Sequence, residues 1–505
     1  VIGRLAVLET RHGIVAQDVL GFPRHDAPDR RQLMIGLRNK VEQGFLGGSP
    51  AAIRSVYWLV GVLVANLLAL AIIISVFTLS GHTARESAGK TVLGVALQLR
   101  HETYDDSWWP MLKAYGAKNE DPAAGLYDVF FDDDVKFQYP PSALLPFDLL
   151  PRSMTVVGGR TEFDPRLKRA LQLLSLTAVI GTILVSALIV IRGIADSIAR
   201  SDARFRWVIA VLALSVVDGL LWYPILIGHV WGQVQVFLNL LVALSIYCFV
   251  LRRPALGGFW LGLCCLVKPH YGLVLIWSLL RREWRFGIGM TCIGVAGLIG
   301  GLCRYGWSDH FAYARVLLFL SRRGESIWVN QSLGGLINRF YGNGAAVEMP
   351  GAAQSSFPPY LAEAHIVGAL FAGIVLLAAL WPSREPRTAD KRLELATIIA
   401  AVTIASPIAW MHQYGALLPV FAILLARTAS KPGIWPLFLL GTSFVAMGQV
   451  ILEWRWYFAN PWRGLLGSHV FFGGLLLLGL LFRSRFKGMV EARPVGAIGA
   501  IRSVD

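Results

Sequence analysis

The sequence predicts an all-α polytopic integral membrane protein, and three observations carry that prediction. Of its 505 residues 55% are apolar and only 16% are charged, where soluble globular chains carry about 25% charged residues. The apolar residues arrive in long blocks, and each block of roughly 18 or more is a transmembrane candidate. The Lys and Arg excess sits in the short connections between blocks, where it sets membrane orientation. A soluble enzyme, a disulfide-rich secreted module and a disordered chain are excluded.

Residues 1–55 are polar, with eight bases and five acids, and they carry no cleavable signal pattern. They are expected to stay cytoplasmic, either on anionic lipid or as a free tail. The apolar blocks follow at 56–79, 171–191, 207–227, 233–251, 257–280, 286–303, 363–381, 394–410, 414–426, 433–452 and 467–482. Several are short for a span of about 20 residues, which predicts tilted or broken helices. There is no internal repeat. Residues 56–482 thus form the membrane-embedded domain, with two long hydrophilic loops at 80–166 and 304–362, and 483–505 is a cytoplasmic tail.

The net charge of +15 belongs to orientation and not to nucleic acid, so no nucleic-acid partner is expected. Basic clusters fall at Arg192/Arg200/Arg204/Arg206, Arg252/Arg253, Arg281/Arg282/Arg285, Arg384/Arg387/Lys391/Arg392, Arg427/Lys431 and Arg483/Arg485/Lys487. Placing them in the cytoplasm leaves one conflict, because block 257–280 has a basic cluster at each end. In its middle Lys268-Pro269-His270 divides it into runs of eleven and ten residues. Each run is too short to span, Pro cannot continue the helical bonding, and a mid-bilayer charge is costly. Two half-length helices entering and leaving from the cytoplasm remove the conflict. Non-helical backbone at that depth is tolerated only where it lines a cavity, so the tip is expected to face one. The result is about ten full crossings plus a re-entrant helical hairpin, with both termini cytoplasmic. The polar connections 80–166, 228–235, 304–362, 410–415 and 453–466 then share the outer face.

That face holds the candidate chemistry. The first loop contains Tyr104-Asp105-Asp106-Ser107-Trp108-Trp109, Asp132-Asp133-Asp134 and Tyr139-Pro140-Pro141. A carboxylate beside aromatics near the membrane surface suits a general base, and Trp and Tyr faces stack on sugar rings as well as anchoring in interfaces. Asp132–Asp134 suggest a divalent cation, since hard cations take oxygen ligands, or else simply solvated loop charge. His229 to Gln235 opens a helix with polar groups, among them Gln233. Asn330-Gln331-Ser332 follows Trp328 in the second long loop, and Ser406-Pro407-Ile408-Ala409-Trp410-Met411-His412-Gln413-Tyr414 interrupts two apolar blocks. Each alone reads as helix capping or backbone satisfaction, and their convergence on one face is what points to a site. Lys268 needs an anion: either a phosphate or an internal acid such as Asp218. His270, two residues on, is either a second donor or an interfacial histidine. The five cysteines lie in or at the edge of apolar segments without metal-ligand spacing.

In their order these features resemble glycosyltransferase family 87, the polyprenol-phosphate-mannose-dependent mannosyltransferases, over roughly residues 56–482. The resemblance rests on the acidic first loop, Gly125-Leu126-Tyr127, Tyr139-Pro140-Pro141, Gly232-Gln233, and Gly257-Gly258…Leu261-Gly262…Lys268-Pro269 before an Arg-rich exit. Asn330-Gln331-Ser332 and Ser406-Pro407…Trp410-x-His412 complete it. The chain departs from the family where Trp109 replaces a Tyr and in a longer stretch up to Tyr127. The resemblance implies a C-type glycosyltransferase-like fold in the plasma (inner) membrane, its active site facing the periplasm or exterior. Its activity is inverting transfer of a hexose, mannose foremost, from a polyprenyl-phosphate-sugar donor to a glycolipid or glycan acceptor. Asp105 is the favoured base because Trp109 follows four residues on, with Asp106 the close alternative. His412 orients a reacting oxygen or the phosphate, and Lys268 holds the leaving phosphate. His270, Tyr139, Gln233, Asn330, Gln331, Trp410 and Gln413 are the expected substrate-binding residues. No metal and no cofactor are expected. Transfer of an arabinofuranosyl or glucosyl group, or transport of the lipid-linked sugar, are the competing readings.

Overall fold

The computed structural model describes residues 50–89, 91–99, 101, 103–149, 154–157, 160–195, 203–345, 357–382, 390–431, 433–450 and 461–490. The readings made for residues before 50, for the tail beyond 490 and for much of the 453–466 connection lie outside the described residues. So do Arg200, Arg384 and Arg387.

The described residues are almost wholly helical. Their principal helices are α1 (Pro50–Leu79), α2 (Trp108–Glu120), α3 (Pro165–Ile194), α4 (Ala203–Leu220), α5 (Tyr223–Val230), α6 (Gln235–Val250), α7 (Pro254–Cys265), α8 (Leu273–Leu280) and α9 (Trp284–Arg323). Then follow α10 (Leu333–Phe340), α11 (Ala362–Leu380), α12 (Lys391–Ile404), α13 (Leu418–Ala429), α14 (Trp435–Gly448) and α15 (His469–Val490). Of these, α1, α3, α9 and α11 are long and apolar enough to cross a membrane; α4 and α5, bent by 57°, make a fifth candidate as a pair. The bend falls where Pro224 opens α5, because proline cannot continue the bonding of the helix before it. Leu68, Ile72, Leu370 and Ile374 lie exposed on α1 and α11. In water such faces would be an anomaly; in lipid they are the contact surface.

One element departs from an all-α reading. Met154–Val157 and Arg160–Phe163 pair antiparallel as a two-stranded hairpin, Met154 opposite Phe163. Gly158-Gly159 between two β-prone runs is the local signal for it. At its end Asp164 caps α3, accepting the Arg166 N–H at 2.8 Å, with Pro165 as the first helical residue.

The interrupted block folds as two short helices. Lys268 is extended (φ −132°), and Pro269–Gly272 form a 3₁₀ turn between α7 and α8. Both feet sit at the same end of α9. Gly258 of α7 packs so closely on the Phe286 carbonyl that an added Cβ would lie 1.9 Å from it, and Gly287 faces Ser278 of α8. Trp277 of α8 meets Phe286 edge to face at 5.8 Å. The tip lies further along, where Leu266 touches Gly297, about 15 Å deeper at 1.5 Å per residue. At the feet, buried Glu394 accepts from Arg281 at 2.8 Å and faces Arg485 at 3.6 Å. Arg281 and Arg485 also donate to carbonyls at the C-terminal end of α11.

α9 is broken at Gly306 (φ 77°, ψ 175°), where only glycine adopts the backbone without strain. Its first segment, 284–305, is about 33 Å long at 1.5 Å per residue, the thickness of a hydrocarbon core. Its second segment, 307–323, turns away to roof the first loop. That loop is not an open connection: Met111, Tyr115, Tyr127, Phe130, Phe137 and Phe147 bury together with Val316 and Leu320 of α9 in a second apolar core. Tyr127 and Phe137 stack at 5.2 Å, and Asp309 of α9 accepts the Leu126 N–H at 2.8 Å and pairs with Lys118 at 3.2 Å.

Candidate active site

Between this cap and the helical body lies a cavity of about 1030 Å³. The acidic stretch forms one wall, and backbone geometry holds it there. Tyr104 and Asp106 donate their N–H groups to Val230 and Trp231, at 2.9 and 3.1 Å. Gly232 makes the close approach possible: its φ is +65°, and a Cβ there would lie 1.7 Å from the Tyr104 carbonyl oxygen. Ser107 is fully buried; it bonds Tyr139 Oη at 2.8 Å, donates to Gln233 Oε1 at 2.8 Å and accepts the Val234 N–H at 3.1 Å. So anchored, Gln233 presents its Nε2 to Asp106 Oδ2.

The two acids occupy different surroundings. Asp105 is 39% exposed and ion-paired with Lys168 at 3.1 Å. Asp106 opens onto the cavity, and desolvation within it raises its pKa to about 6 against the opposing pull of Lys136 and of the Gln233 hydrogen bond. Lys136 pairs with buried Glu325 at 3.2 Å, and Glu325 also accepts the indole N–H of Trp410. The Lys136 ammonium lies 4.9 Å from the centroid of Phe357 and 5.8 Å from that of Trp410. Trp231, Trp410 and His412 close edge to face around each other at 5.6 to 6.1 Å.

The hairpin tip supplies the facing wall, with Lys268, Pro269 and His270 lining the same cavity. The Lys268 ammonium makes no ion pair or hydrogen bond among the described residues, while its backbone N–H donates to the Cys264 carbonyl at 2.8 Å. Asp218, the acid considered as its partner, lies in a separate small pocket against Trp58 and Phe421. His270 stacks on Tyr271 at 4.7 Å.

The structure thus brings Asp105, Asp106, Tyr139, Gln233, Lys268, His270, Trp410, His412 and Gln413 to one cavity. It does not bring Asn330 and Gln331, which are fully buried outside it. Asn330 donates to the Glu325 carbonyl and accepts the Ala409 N–H, and Gln331 donates to the Trp328 and Gly467 carbonyls. With Met411 N–H on Val329 O and Gln331 N–H on Ala409 O, they brace the strand that carries Trp410. Asn330 and Gln331 therefore have their polar atoms engaged by the protein and line no part of this cavity. Asp132–Asp134 are exposed and line no part of the cavity; Asp133 pairs with Lys113 at 3.6 Å. Among the described residues no set of His, Cys, Asp and Glu gathers as a metal site.

Sequence reasoning missed Lys136, Glu325, Lys168 and Ser107. Only Lys136 carried a trace of its role, as the one base between Asp121 and Asp148, three residues before Tyr139.

A helical membrane body that opens, beneath a folded polar cap, into a cavity with carboxylate and ammonium walls has the architecture of a membrane-embedded transferase. The family description glycosyltransferase family 87 matches residues 137–407, more than half of the chain. The chain belongs to that family and is a hexosyltransferase. It is 25% identical over 380 residues to the polyprenol-phosphate-mannose-dependent alpha-(1-2)-phosphatidylinositol mannoside mannosyltransferase of Mycolicibacterium smegmatis, which covers 70% of this chain and 77% of that protein. The protein of the same description from Mycobacterium tuberculosis is 25% identical over 303 residues, 57% of this chain and 64% of its own length. No solved structure is a significant match. The family match begins after Asp105 and Asp106 and ends before Trp410 and His412, so their roles rest on geometry.

Proposed function

We propose that the enzyme transfers a hexose, mannose foremost, from a polyprenyl-phosphate sugar to a glycolipid or glycan acceptor on the outer face of the membrane, with inversion. The observation that carries this reading is that Asp106 and Lys268 line the same cavity from opposite elements, the outer cap and the hairpin tip. Asp106 takes the proton of the acceptor hydroxyl. The acceptor oxygen bonds to the anomeric carbon as the bond from that carbon to the phosphate oxygen breaks, and the lipid phosphate leaves with the electron pair. Lys268 stabilises the charge that grows on it, with His270 and His412 beside it. Trp231 and Trp410 offer faces to the sugar.

Asp106 replaces Asp105 as the favoured base. Asp105 already has Lys168 as its ion-pair partner, whereas Asp106 faces the cavity oriented by Gln233 and free of a direct ion pair, and its raised pKa makes it the stronger base. A C-type fold with about ten crossings, the boundaries 1–55, 56–482 and 483–505, and a hairpin entered from the cytoplasm belong to this same reading. The placement of Glu394, Arg281 and Arg485 at the hairpin feet, away from the cavity, supports that polarity.

The test is sugar transfer from a panel of polyprenyl-phosphate hexoses in nanodiscs by wild type, Asp105→Asn and Asp106→Asn. Asp106→Asn is expected to lose about 10²- to 10⁴-fold, the worth of a general base, while Asp105→Asn retains most activity. The reverse order restores Asp105. A wild type that transfers nothing but moves the lipid-linked sugar across a bilayer overturns the enzymatic reading of the cavity.

A further inference from the structure

A second cavity, about 540 Å³, lies on the other side of the 307–323 segment of α9. Tyr313, Leu317 and Leu320 of that segment face the active-site cavity; Arg315, Leu318, Phe319, Arg322 and Arg323 face the second one. The segment is a shared wall between two distinct spaces. Nothing in the proposed sugar chemistry uses the second.

Its lining is cationic and aromatic. The Arg315 guanidinium lies 5.1 Å from the ring centroid of Phe131, and that of Arg323 lies 4.9 Å from Phe319. Stacking holds both planes while leaving their N–H edges free to donate. Tyr360 and His365, joined at 3.3 Å, complete the opposite side. Among the described residues no acidic side chain lines the cavity. Among the described residues Arg315, Arg322 and Arg323 make no ion pair, whereas nearby Arg304 is matched with Asp148 at 3.1 Å and Asn119 at 2.6 Å.

Two further observations place this cavity at a lipid surface. The same segment exposes Trp307 (66%), Phe311 (69%) and Leu318 (51%), which is the apolar face of an interfacial helix. Tyr360 and His365 sit at the start of α11, one of the helices apolar enough to cross a membrane. Membrane orientation gives no reason for three unpaired arginines at the end of the molecule that carries the active site. We propose that this cavity binds the phosphate of an anionic membrane phospholipid, with the arginines as donors and the aromatic side chains beneath the glycerol. The inference depends on the membrane placement of α9 and α11 and not on the sugar chemistry.

The test is lipid retention by the purified protein in nanodiscs of phosphatidylcholine with a minor fraction of phosphatidylglycerol, read by native mass spectrometry after delipidation. Wild type is expected to keep phosphatidylglycerol in preference to phosphatidylcholine. Replacing exposed Arg322 alone (Arg322→Gln) is expected to lower that preference about fivefold, the worth of one basic residue near an anionic lipid surface. Arg315→Gln/Arg322→Gln/Arg323→Gln is expected to abolish it. The single variant leaves both ring-stacked arginines in place, so its result stands even where the triple variant is unstable. Equal retention of the two lipids by wild type, or an undiminished preference in Arg322→Gln, overturns the proposal. Displacement of the lipid by millimolar inorganic phosphate overturns the lipid source in favour of a soluble anion. None of these readouts requires sugar transfer, so an inactive enzyme would not count against the site.

Discussion

At the scale of single residues, the pair Lys136–Glu325 tunes how readily Asp106, the proposed base, ionises. Desolvation in the cavity raises its pKa to about 6, Lys136 favours the ionised carboxylate and Glu325 disfavours it. The base works only when ionised, so kcat/KM should fall as pH drops through about 6. Removing the positive charge (Lys136→Met) should move that acid limb to higher pH, on the order of one unit. Removing the negative one (Glu325→Gln) should move it to lower pH, and Lys136→Arg should leave it near wild type. Profiles of kcat/KM between pH 5 and 8 decide this. Other charged groups on the cavity wall, the Asp105–Lys168 pair, Lys268, His270 and His412, are unchanged across the series and cannot supply opposite shifts. A limb that stays put in both variants would mean that Asp106 does not set it. The sequence did place the acids at the site, since their aromatic neighbours were visible. It favours Asp105 without sight of these partners, because the Lys168 that pairs with Asp105 is 63 residues away and the Glu325 that meets Lys136 is 189 away. No local spacing encodes such contacts.

At the scale of elements, the hairpin was legible because its signals are local: two runs too short to span, a proline, a mid-block lysine and bases at both ends. The cap was not. Its helices are short, and its core forms between residues such as Phe130 and Phe319, which are strangers in sequence. The hairpin brings Lys268 to the cavity, and two predictions follow from how it is held. Lys268→Ala should weaken binding of the polyprenyl-phosphate donor by about 10- to 100-fold, from the roughly 1.5–3 kcal/mol of a hydrogen bond to a charged group. Its thermal midpoint should barely move, because the ammonium has no hydrogen-bond or ion-pair partner among the described residues and the backbone bonds of Lys268 survive the change. Gly258→Ala should instead destabilise by about 1–3 kcal/mol, as overpacking does, because the new Cβ meets the Phe286 backbone rather than a yielding side chain. Donor titration and thermal unfolding on both variants separate the cases. A Lys268→Ala protein that binds donor normally makes the lysine a structural residue and empties that wall of its role.

At the scale of the whole molecule, the position of every loop depends on whether the 254–280 hairpin crosses the membrane. Between residues 123 and 345 the chain passes through α3, the bent pair α4–α5, α6, the hairpin and the first segment of α9. With a hairpin that returns to its own side, residues 123 and 345 share a face; with a hairpin that crosses, they are on opposite faces. The packing against α9 favours return, since α7 and α8 have their feet at Phe286–Gly289 and their tip near Gly297. The prediction is a labelling pattern. Ala123 and Ala345 are exposed on the cap side, and Arg282 is exposed at the hairpin foot. Each is replaced singly by cysteine after the exposed native thiols Cys292 and Cys303 have been changed to serine. In intact spheroplasts a membrane-impermeant maleimide should modify Ala123→Cys and Ala345→Cys, and should reach Arg282→Cys only after permeabilisation. The inverse pattern would turn the whole enzyme over and put its cavity in the cytoplasm, with the donor sugar presented from the other leaflet. Modification of Ala123→Cys and Ala345→Cys on opposite faces would make the hairpin a full crossing. Lys268 would then lie along a transmembrane path rather than at a tip, which is where a transporter, and not a transferase, has use for it.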